Sequence, residues 1–542
     1  MLQKVSGIFL SETHEWHARM ADTARSARLH RCRRRVVVLY LVLAVVAAGT
    51  FAWTLGYPFV YDDRSIITQN PLLESAGGWC KILVSPYWPP EQGFDSLYRP
   101  LTALTFKMNY ALGGGQPCGF RVVNLALHAL ATVLVAALAR RLWRRDAAAW
   151  VAGLLFAVHP IHAEALGLVV GRGELLAGVL VTWMLWRHLG RDVTEAAPSP
   201  GYHLATAVLF LLALGAKEHA VIAWPAILIT DLWHRRCSAK REPRRSFLHR
   251  IVESHHLGLA FALALFLFMR WVVYGGWTTM PADMIDPFAN PLLHGSFITK
   301  SATPFALLWF VVQQWFAATP LCPIWDVGGF DLPGTFLRAD VLAGVVVAGG
   351  IVSALVVGWR RRGRWCVPVG LFALAVLLPC HFIPAANWLY AERWVYLPSV
   401  FLALLCAGLT AWVPRFSVGA AAAAAALLLV ITVPYSRCWQ THEGLFEAVV
   451  ERQTCSYHGL IGLAAIRYRT GRVGESRVGV ERLTERFPDA QRAWYYRVLV
   501  AGELGDWDAA DDALRRWAAF RLPGPPPPEI TRIAEQVRAH GR

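Results

Sequence analysis

The sequence predicts an all-α membrane protein, a polytopic bundle of about 11 spanning helices followed by a helical C-terminal tail of tetratricopeptide type. Of its 542 residues, 56% are hydrophobic and 17% are charged, and the mean hydropathy is +0.39. Soluble globular proteins carry about 25% charged residues. The apolar residues form runs long enough to cross about 30 Å of hydrocarbon. This composition excludes a soluble enzyme, a disordered chain and a small disulfide-rich protein.

The first span, 36–56, carries no charge and follows six arginines between Arg25 and Arg35. By the positive-inside rule, the segment 1–35 is a basic cytoplasmic N-terminus. The apolar run is too long for a cleavable signal peptide. Arginine clusters after later runs mark further cytoplasmic ends: Arg140–Arg145, Arg235–Arg250 and Arg360–Arg364. The net charge of +16 therefore reflects membrane orientation and does not indicate a nucleic-acid partner.

The same rule gives eleven crossings and places the C-terminus outside the cytoplasm. The predicted spans are 36–56, 119–138, 147–165, 174–189, 203–216, 219–233, 257–275, 341–358, 366–384, 395–413 and 418–435. The run 303–318 is apolar, but a further crossing there would move Arg360–Arg364 outside. We therefore expect 303–318 to be re-entrant or to lie along the external interface. The predicted membrane domain is 36–438, with external loops at 57–118 and 276–340.

The composition changes near Trp439, and the segment 439–542 predicts a tetratricopeptide-like tail. Gly471 and Gly505 are separated by the 34-residue period of that repeat. Small residues, Ser476 and Ala510, follow each glycine by five positions. An ordinary helical hairpin is the alternative. Because about three repeats are needed for stability, the tail should dock on the membrane part or be capped by a helix at 529–540.

Charged residues at the predicted external ends of the spans are functional candidates, because such groups near hydrocarbon are costly. Asp62 and Asp63 follow the first span and predict a general base with its hydrogen-bonding support. The alternative for this pair is a solvated loop that caps a helix. The candidate cations on the same side are Arg99, Arg172, Lys217 and Arg393. Further candidate substrate-site residues are Tyr98, His159, His162, Glu164, Glu174, Glu218 and Glu392.

A carboxylate base beside several cations suits transfer of a group from a lipid-linked phosphate, since the cations stabilise the departing phosphate. Of the cations, Arg172 and Arg393 are predicted to bind the donor phosphate through their guanidinium forks. No metal site is predicted. The cysteines show no metal-binding spacing, and Pro160 breaks the helical geometry that a zinc site at His159, His162 and Glu164 would need.

The order of several short motifs resembles the transmembrane-and-tetratricopeptide O-mannosyltransferase family (TMTC) of C-type, multi-spanning glycosyltransferases. These motifs are YDDRSIITQNPLL, YRPLTALTFKMNYAL, FRVVNLALHAL, LFAVHPIHAEALGLVVGRGELLAG, GAKEHAV and YAERWVYLPSV. The resemblance covers roughly 51–235 and 380–525, and the family's acidic motif maps onto Asp62 and Asp63. It implies a polyprenyl-phosphate-sugar donor, dolichyl phosphate mannose in the animal members, and transfer to Ser or Thr hydroxyls of exported proteins.

Departures from the family pattern leave the acceptor open. The tail is shorter than the repeat arrays of the animal members, and arginine outnumbers lysine, which indicates a bacterial homologue in the inner membrane; a eukaryotic member would lie in the endoplasmic reticulum. Two alternatives remain: a C-type transferase that modifies a glycan or lipid, and a non-catalytic membrane-anchored scaffold. The sequence implies no cofactor and leaves dependence on a divalent metal undecided.

Overall fold

The computed structural model describes residues 33–75, 77–89, 97–191, 199–237, 255–276, 287–384, 388–413, 416–520 and 525–540. Within these residues the fold is all-α, as predicted, and the β-pairing is a single isolated bridge between Trp325 and Tyr390. Most of the predicted N-terminal segment 1–35 and most of the arginine cluster 235–250 lie outside the described residues.

We number the helices of ten residues or more in the described parts of the membrane region. They are α1 (33–50), α2 (Pro100–Gly113), α3 (Pro117–Trp143), α4 (Asp146–Val158), α5 (Arg172–Leu189), α6 (Pro200–Ala216), α7 (Ala223–Cys237), α8 (His256–Tyr274), α9 (Phe297–Ala317), α10 (Ala339–Arg361), α11 (Cys366–Ala375), α12 (Tyr396–Gly408) and α13 (Ser417–Ser436).

Six segments of the described structure are long and apolar enough to cross a membrane. They are Pro117–Trp143, Val169–Leu189, His256–Tyr274, Ala339–Arg361, Glu392–Ala411 and Ser417–Trp439. A bent pair of helices, Asp146–Val158 and Pro160–Gly167, makes seven if it counts as one span. The protein is therefore an integral, multi-pass membrane protein. The count of eleven crossings stays a prediction.

The structure changes two of the predicted spans. The span 147–165 is bent by 51° between Val158 and Pro160, where His159 is extended and Pro160 has no N–H to continue the helix. The span 366–384 is helical only over Cys366–Ala375 and then continues as turns. The run 303–318 falls almost entirely within the continuous helix α9, which packs against α10. The position of α9 relative to a membrane stays a prediction.

The centre of the bundle is built around α3, which packs against α4 and α5, while α12 and α13 pack against α4. Small residues allow these close approaches. A Cβ added at Gly153 in α4 would lie 2.4 Å from the Leu43 side chain, and one at Gly178 in α5 would lie 2.7 Å from the Tyr396 ring. These contacts fix α5 firmly in the core, which matters because α5 carries functional candidates.

The tail consists of six helices in its described residues, α14 (His442–Arg452), α15 (Tyr457–Arg469), α16 (Val473–Arg486), α17 (Gln491–Glu503), α18 (Trp507–Ala518) and α19 (Pro528–His540). Gly471 and Gly505 turn the chain with φ of 77° and 71°, a region that favours glycine. Ile533 of α19 lies against Gly502 of α17. The tail contacts the segment before α10, where the His458 N–H donates to Asp326 over 2.6 Å. The tetratricopeptide assignment and the domain boundaries stay predictions.

Candidate active site

Candidate residues from distant parts of the sequence meet at the end of the bundle where α5 begins. We call this the charged end and define it by Asp62, Glu164, Glu174, Lys217, Glu218, Arg99 and Arg393. The residues come from the turn after α1, the starts of α2, α5 and α12, the short helix Ala163–Gly167 and the turn after α6. Their charges act on one another: Arg393 and Arg99 both influence Asp62, and the same two arginines influence Lys217.

Arg393 lies between two carboxylates. Its Nη2 is 3.7 Å from Oδ2 of Asp62, and its Nη1 pairs with Glu164, which also accepts the Arg393 backbone N–H over 2.8 Å. The Glu164 side chain is 2% exposed, whereas those of Asp62 and Arg393 are 20% and 19% exposed. Glu164 therefore holds the arginine from inside, and Asp62 is the more accessible of the two carboxylates that contact Arg393.

The electrostatic environment of Asp62 suits a general base. Burial raises the pKa of Asp62 to about 6, Arg393 opposes that shift, and the neighbouring carboxylates of Asp63 and Glu164 reinforce it. A general base works best when its pKa is near the working pH. At neutral pH, Asp62 is mostly ionised and still a stronger base than an ordinary aspartate.

Asp63, in contrast, is buried, and its carboxylate stabilises the fold. Its Oδ2 accepts the Val169 N–H over 3.1 Å, and its Oδ1 accepts the Val170 N–H over 2.9 Å. These bonds tie the turn after α1 to the turn that leads into α5. The two adjacent aspartates therefore have different environments, and the base role, which the sequence left open between them, fits Asp62 alone.

Two further ion pairs line the charged end. Arg99 Nε pairs with Glu218 at 3.0 Å, and Lys217 pairs with Glu174. Burial lowers the pKa of Lys217 to about 8, while Glu174 opposes the shift. His219 Nε2 lies 3.5 Å from the second oxygen of Glu174. Each of these two cations is therefore paired with a carboxylate.

The structure argues against the prediction that Arg172 contacts a donor phosphate. It is fully buried, and it donates to Oδ1 of Asn124 over 2.8 Å and to the carbonyls of Thr105 and Phe120 over 3.1 and 2.8 Å. All three of its side-chain nitrogens are engaged with protein groups. Arg172 joins the start of α5 to α2 and α3, and the geometry argues against a ligand contact.

Four other predicted substrate-site residues are also buried with protein partners. Tyr98 donates to the Leu83 carbonyl over 2.6 Å. His159 stacks on Trp315 with ring centroids 4.1 Å apart, and His162 Nε2 lies 2.9 Å from Oγ of Ser399. The partners of Glu392 are Cys322 N, Trp325 Nε1, Gln314 Nε2 and Tyr435 Oη. The side chains of these four residues are engaged with protein groups, and the geometry does not place them against a substrate.

Sequence reasoning missed several residues that shape this region. Arg121 in α3 donates to the carbonyls of Tyr57, Pro58 and Gly167. Lys107 in α2 donates to the carbonyls of Leu72, Leu73 and Ser75. Nδ1 of His442, in the tail, accepts the backbone N–H of Tyr61 over 3.1 Å. A cation within an apolar helix was the available signal for Arg121 and Lys107, but no local pattern marks His442.

The fold and this site define a class: an all-α, multi-pass membrane protein with a cluster of ion pairs at one end of its helices. Among curated proteins, the chain is similar to the protein O-mannosyl-transferase Tmtc2 of Drosophila melanogaster, 34% identical over 48% of this chain and 28% of the relative. It is also similar to the protein O-mannosyl-transferase TMTC4 of Homo sapiens, 28% identical over 76% of this chain and 61% of the relative.

These relatives confirm the resemblance to the TMTC family. The chain spans less than two thirds of the length of either relative. No family model matches the chain. Among solved structures, it is similar to the oligosaccharyltransferase of Archaeoglobus fulgidus, with a TM-score of 0.39 and 12% identity over 82% of this chain and 57% of that one.

Proposed function

We propose that this protein is a glycosyltransferase that moves a sugar, mannose in the first instance, from a polyprenyl-phosphate donor to Ser or Thr hydroxyls of exported proteins. The observation that carries the proposal is the reachable Asp62 carboxylate beside Arg393, with Lys217 and Arg99 close by. The relatives are named protein O-mannosyl-transferases, which supports the choice of sugar and acceptor.

The proposed reaction is a single displacement. Asp62 takes the proton of the acceptor hydroxyl while that oxygen forms a bond to the anomeric carbon. The bond between the anomeric carbon and the phosphate oxygen breaks, and polyprenyl phosphate leaves with the electron pair. Arg393, Lys217 and Arg99 stabilise the negative charge that develops on the leaving phosphate. One displacement at the anomeric carbon inverts its configuration.

Glu164 is a positioning residue in this scheme. Its bonds to the backbone N–H and the guanidinium of Arg393 fix where that side chain can reach. The other terminal nitrogen of the guanidinium, Nη2, points toward Asp62, where the reacting groups would meet. Glu174 and Glu218 position Lys217 and Arg99 in the same way.

The decisive experiment incubates membrane fractions with a labelled polyprenyl-phosphate mannose and an exported acceptor protein. We expect label on Ser or Thr, released by base, with the anomeric configuration opposite to that of the donor. Asp62→Asn should abolish the label, and Asp340→Asn should not. Asp340 is the matched control because it is a partly exposed aspartate in an ion pair, with Arg338, outside the charged end. Label found only on a glycan or lipid would overturn the protein acceptor.

We also propose the orientation. The N-terminus is cytoplasmic, and the charged end and the repeat tail lie on the opposite side of the bacterial inner membrane, or of the endoplasmic reticulum membrane in a eukaryote. The contact of His442 with Tyr61, next to Asp62, supports a tail that presents acceptors to the site. A reporter that is active only in the cytoplasm, fused after Arg542, should stay silent. Strong reporter activity would contradict this orientation.

A further inference from the structure

A second cluster of polar side chains lies at the opposite end of α5 from the charged end. His188 stands in the last turn of α5, Asp231 in α7, and His255 and His256 at the start of α8. We call this the histidine end. Nε2 of His188 lies 3.0 Å from Oδ1 of Asp231, and Nε2 of His255 lies 3.0 Å from Oδ2. One ligand atom from each of these three residues lies within 4.8 Å of the others.

The three side chains are closed off from solvent. Those of His188, Asp231 and His255 are 0%, 6% and 4% exposed. Among the described residues, neither Nε2 of His255 nor Oδ2 of Asp231 has a hydrogen-bond partner. The two atoms face each other at 3.0 Å. Leaving a buried polar atom unsatisfied costs about 1–3 kcal/mol, so two such atoms side by side need an explanation.

The surrounding hydrogen bonds distinguish ligands from supporting residues. Nδ1 of His188 lies 2.7 Å from the hydroxyl of Tyr202, which can accept the Nδ1 proton. Nε2 then carries a lone pair for a metal, in place of its 3.0 Å contact with Oδ1 of Asp231. Nδ1 of His256 accepts the Trp224 indole N–H over 3.1 Å, so the neutral ring carries its proton on Nε2. His256 Nε2 is 3.4 Å from Oδ2 of Asp231, at the edge of the cluster.

We propose that His188, Asp231 and His255 bind a Zn²⁺ ion at the histidine end. Imidazole nitrogen and carboxylate oxygen are the ligands that zinc takes in proteins. In a tetrahedral site with bonds of about 2.0–2.1 Å, neighbouring ligand atoms are about 3.3 Å apart. The 3.0 Å between Nε2 of His255 and Oδ2 of Asp231 therefore needs only a small adjustment, and one ligand atom from each of the three residues already lies within 4.8 Å of the others. The single ion satisfies both of the unpartnered atoms.

The remaining contacts are consistent with this ligand set. Oδ1 of Asp231 also pairs with Arg191 Nη2 at 3.2 Å, which leaves Oδ2 as the oxygen available to the ion. Tyr202, Arg191 and His256 orient the ligands from outside, as the partners of metal ligands usually do. The site joins α5, α7 and α8, so its role is to fix the ends of these helices together.

The test uses the full-length protein purified in detergent without chelator. Metal analysis should find about one zinc per chain in the wild type and less than about a tenth of that in His188→Gln and His255→Gln. His234→Gln is the matched control, because the His234 ring is 6.4 Å from that of His188 and makes no ion pair with Asp231 in the described structure. Loss of zinc from His234→Gln equal to that from His255→Gln would overturn the ligand assignment.

A second measurement does not depend on whether the variants fold. Wild-type protein stripped with a chelator should gain thermal stability in proportion to the logarithm of added Zn²⁺. Co²⁺ added in place of Zn²⁺ should give the visible absorption of a four-coordinate site, and Tyr202→Phe should weaken metal affinity roughly 10–100-fold. A wild-type protein that retains no zinc, and whose Tm does not respond to added Zn²⁺, would overturn the proposal.

Discussion

Helix α5 begins at one polar cluster and ends at another, and the two clusters differ in the side chains that surround their carboxylates. At the charged end, carboxylates are paired with lysine and arginine, as in Lys217 with Glu174 and Arg393 with Glu164. At the histidine end, the carboxylate of Asp231 is surrounded by imidazole rings. Cationic side chains suit an anion that arrives and leaves, whereas neutral imidazoles suit a cation that stays.

A difference in exposure accompanies the difference in chemistry. Asp62 and Arg393 at the charged end are about one-fifth exposed, whereas His188, Asp231 and His255 are almost entirely covered. A site that exchanges ligands needs an accessible face, and a site that stabilises a fold does not. The comparison therefore supports the two proposals, catalysis at the charged end and structural support at the histidine end.

The substitution Asp62→Asn is the strongest test of the catalytic role proposed for the charged end. The substitution keeps the shape of the side chain and removes the proton acceptor, so we expect transfer to fall by about 10²–10⁴-fold with donor binding retained. Rates are measured with purified protein and labelled donor, with Asp340→Asn as the control. Transfer near the wild-type rate in Asp62→Asn would show that the base lies elsewhere.

Arg393→Ala should weaken donor binding by roughly 10–100-fold, because a charged hydrogen bond contributes about 1.5–3 kcal/mol. Arg393→Lys should restore only part of the affinity, since lysine keeps the charge and loses the fork. Donor affinity is measured by titration with polyprenyl phosphate. The matched variant is Arg338→Ala, whose arginine pairs with Asp340 outside the charged end. Equal donor affinity in Arg393→Ala and the wild type would exclude this contact.

The pH dependence of transfer tests the environment of Asp62. The base must be ionised, and its pKa is raised to about 6. Transfer should therefore be nearly constant around neutral pH and fall about tenfold per pH unit below pH 6, because the protonated fraction grows in that range. The measurement is kcat/KM between pH 4.5 and 8. A plateau that extends down to pH 4.5 would contradict the raised pKa.

Arg172→Lys should affect stability and leave donor affinity unchanged. Lysine cannot reach Asn124, Thr105 and Phe120 together, so at least one buried acceptor loses its bond, at a cost of about 1–3 kcal/mol. The Tm in detergent should fall by a few degrees. A fall in donor affinity at unchanged Tm would instead indicate that Arg172 contacts the donor.

Adjacent residues show how much of the candidate site could be predicted from the sequence. It predicted the Asp62–Asp63 pair and the cations Arg99, Lys217 and Arg393 as candidates, because a charge at the end of an apolar run is a local signal. It did not separate Asp62 from Asp63, or Arg172 from Arg393, because the difference lies in hydrogen bonds to distant backbone groups. It also gave no sign of His188, Asp231 and His255, which lie in three different helices with no motif spacing.

The sequence alone determined the helical class, the apolar segments and the order of motifs that resembles the TMTC family. These properties depend on short stretches of chain, because hydropathy and helical spacing are read over about twenty residues. Only the tertiary structure decided which carboxylate is reachable, which arginine is structural and where the imidazoles meet. Burial and partnership depend on residues far apart in the chain, and packing of α2, α3, α5 and α12 brings those residues to within hydrogen-bond distance.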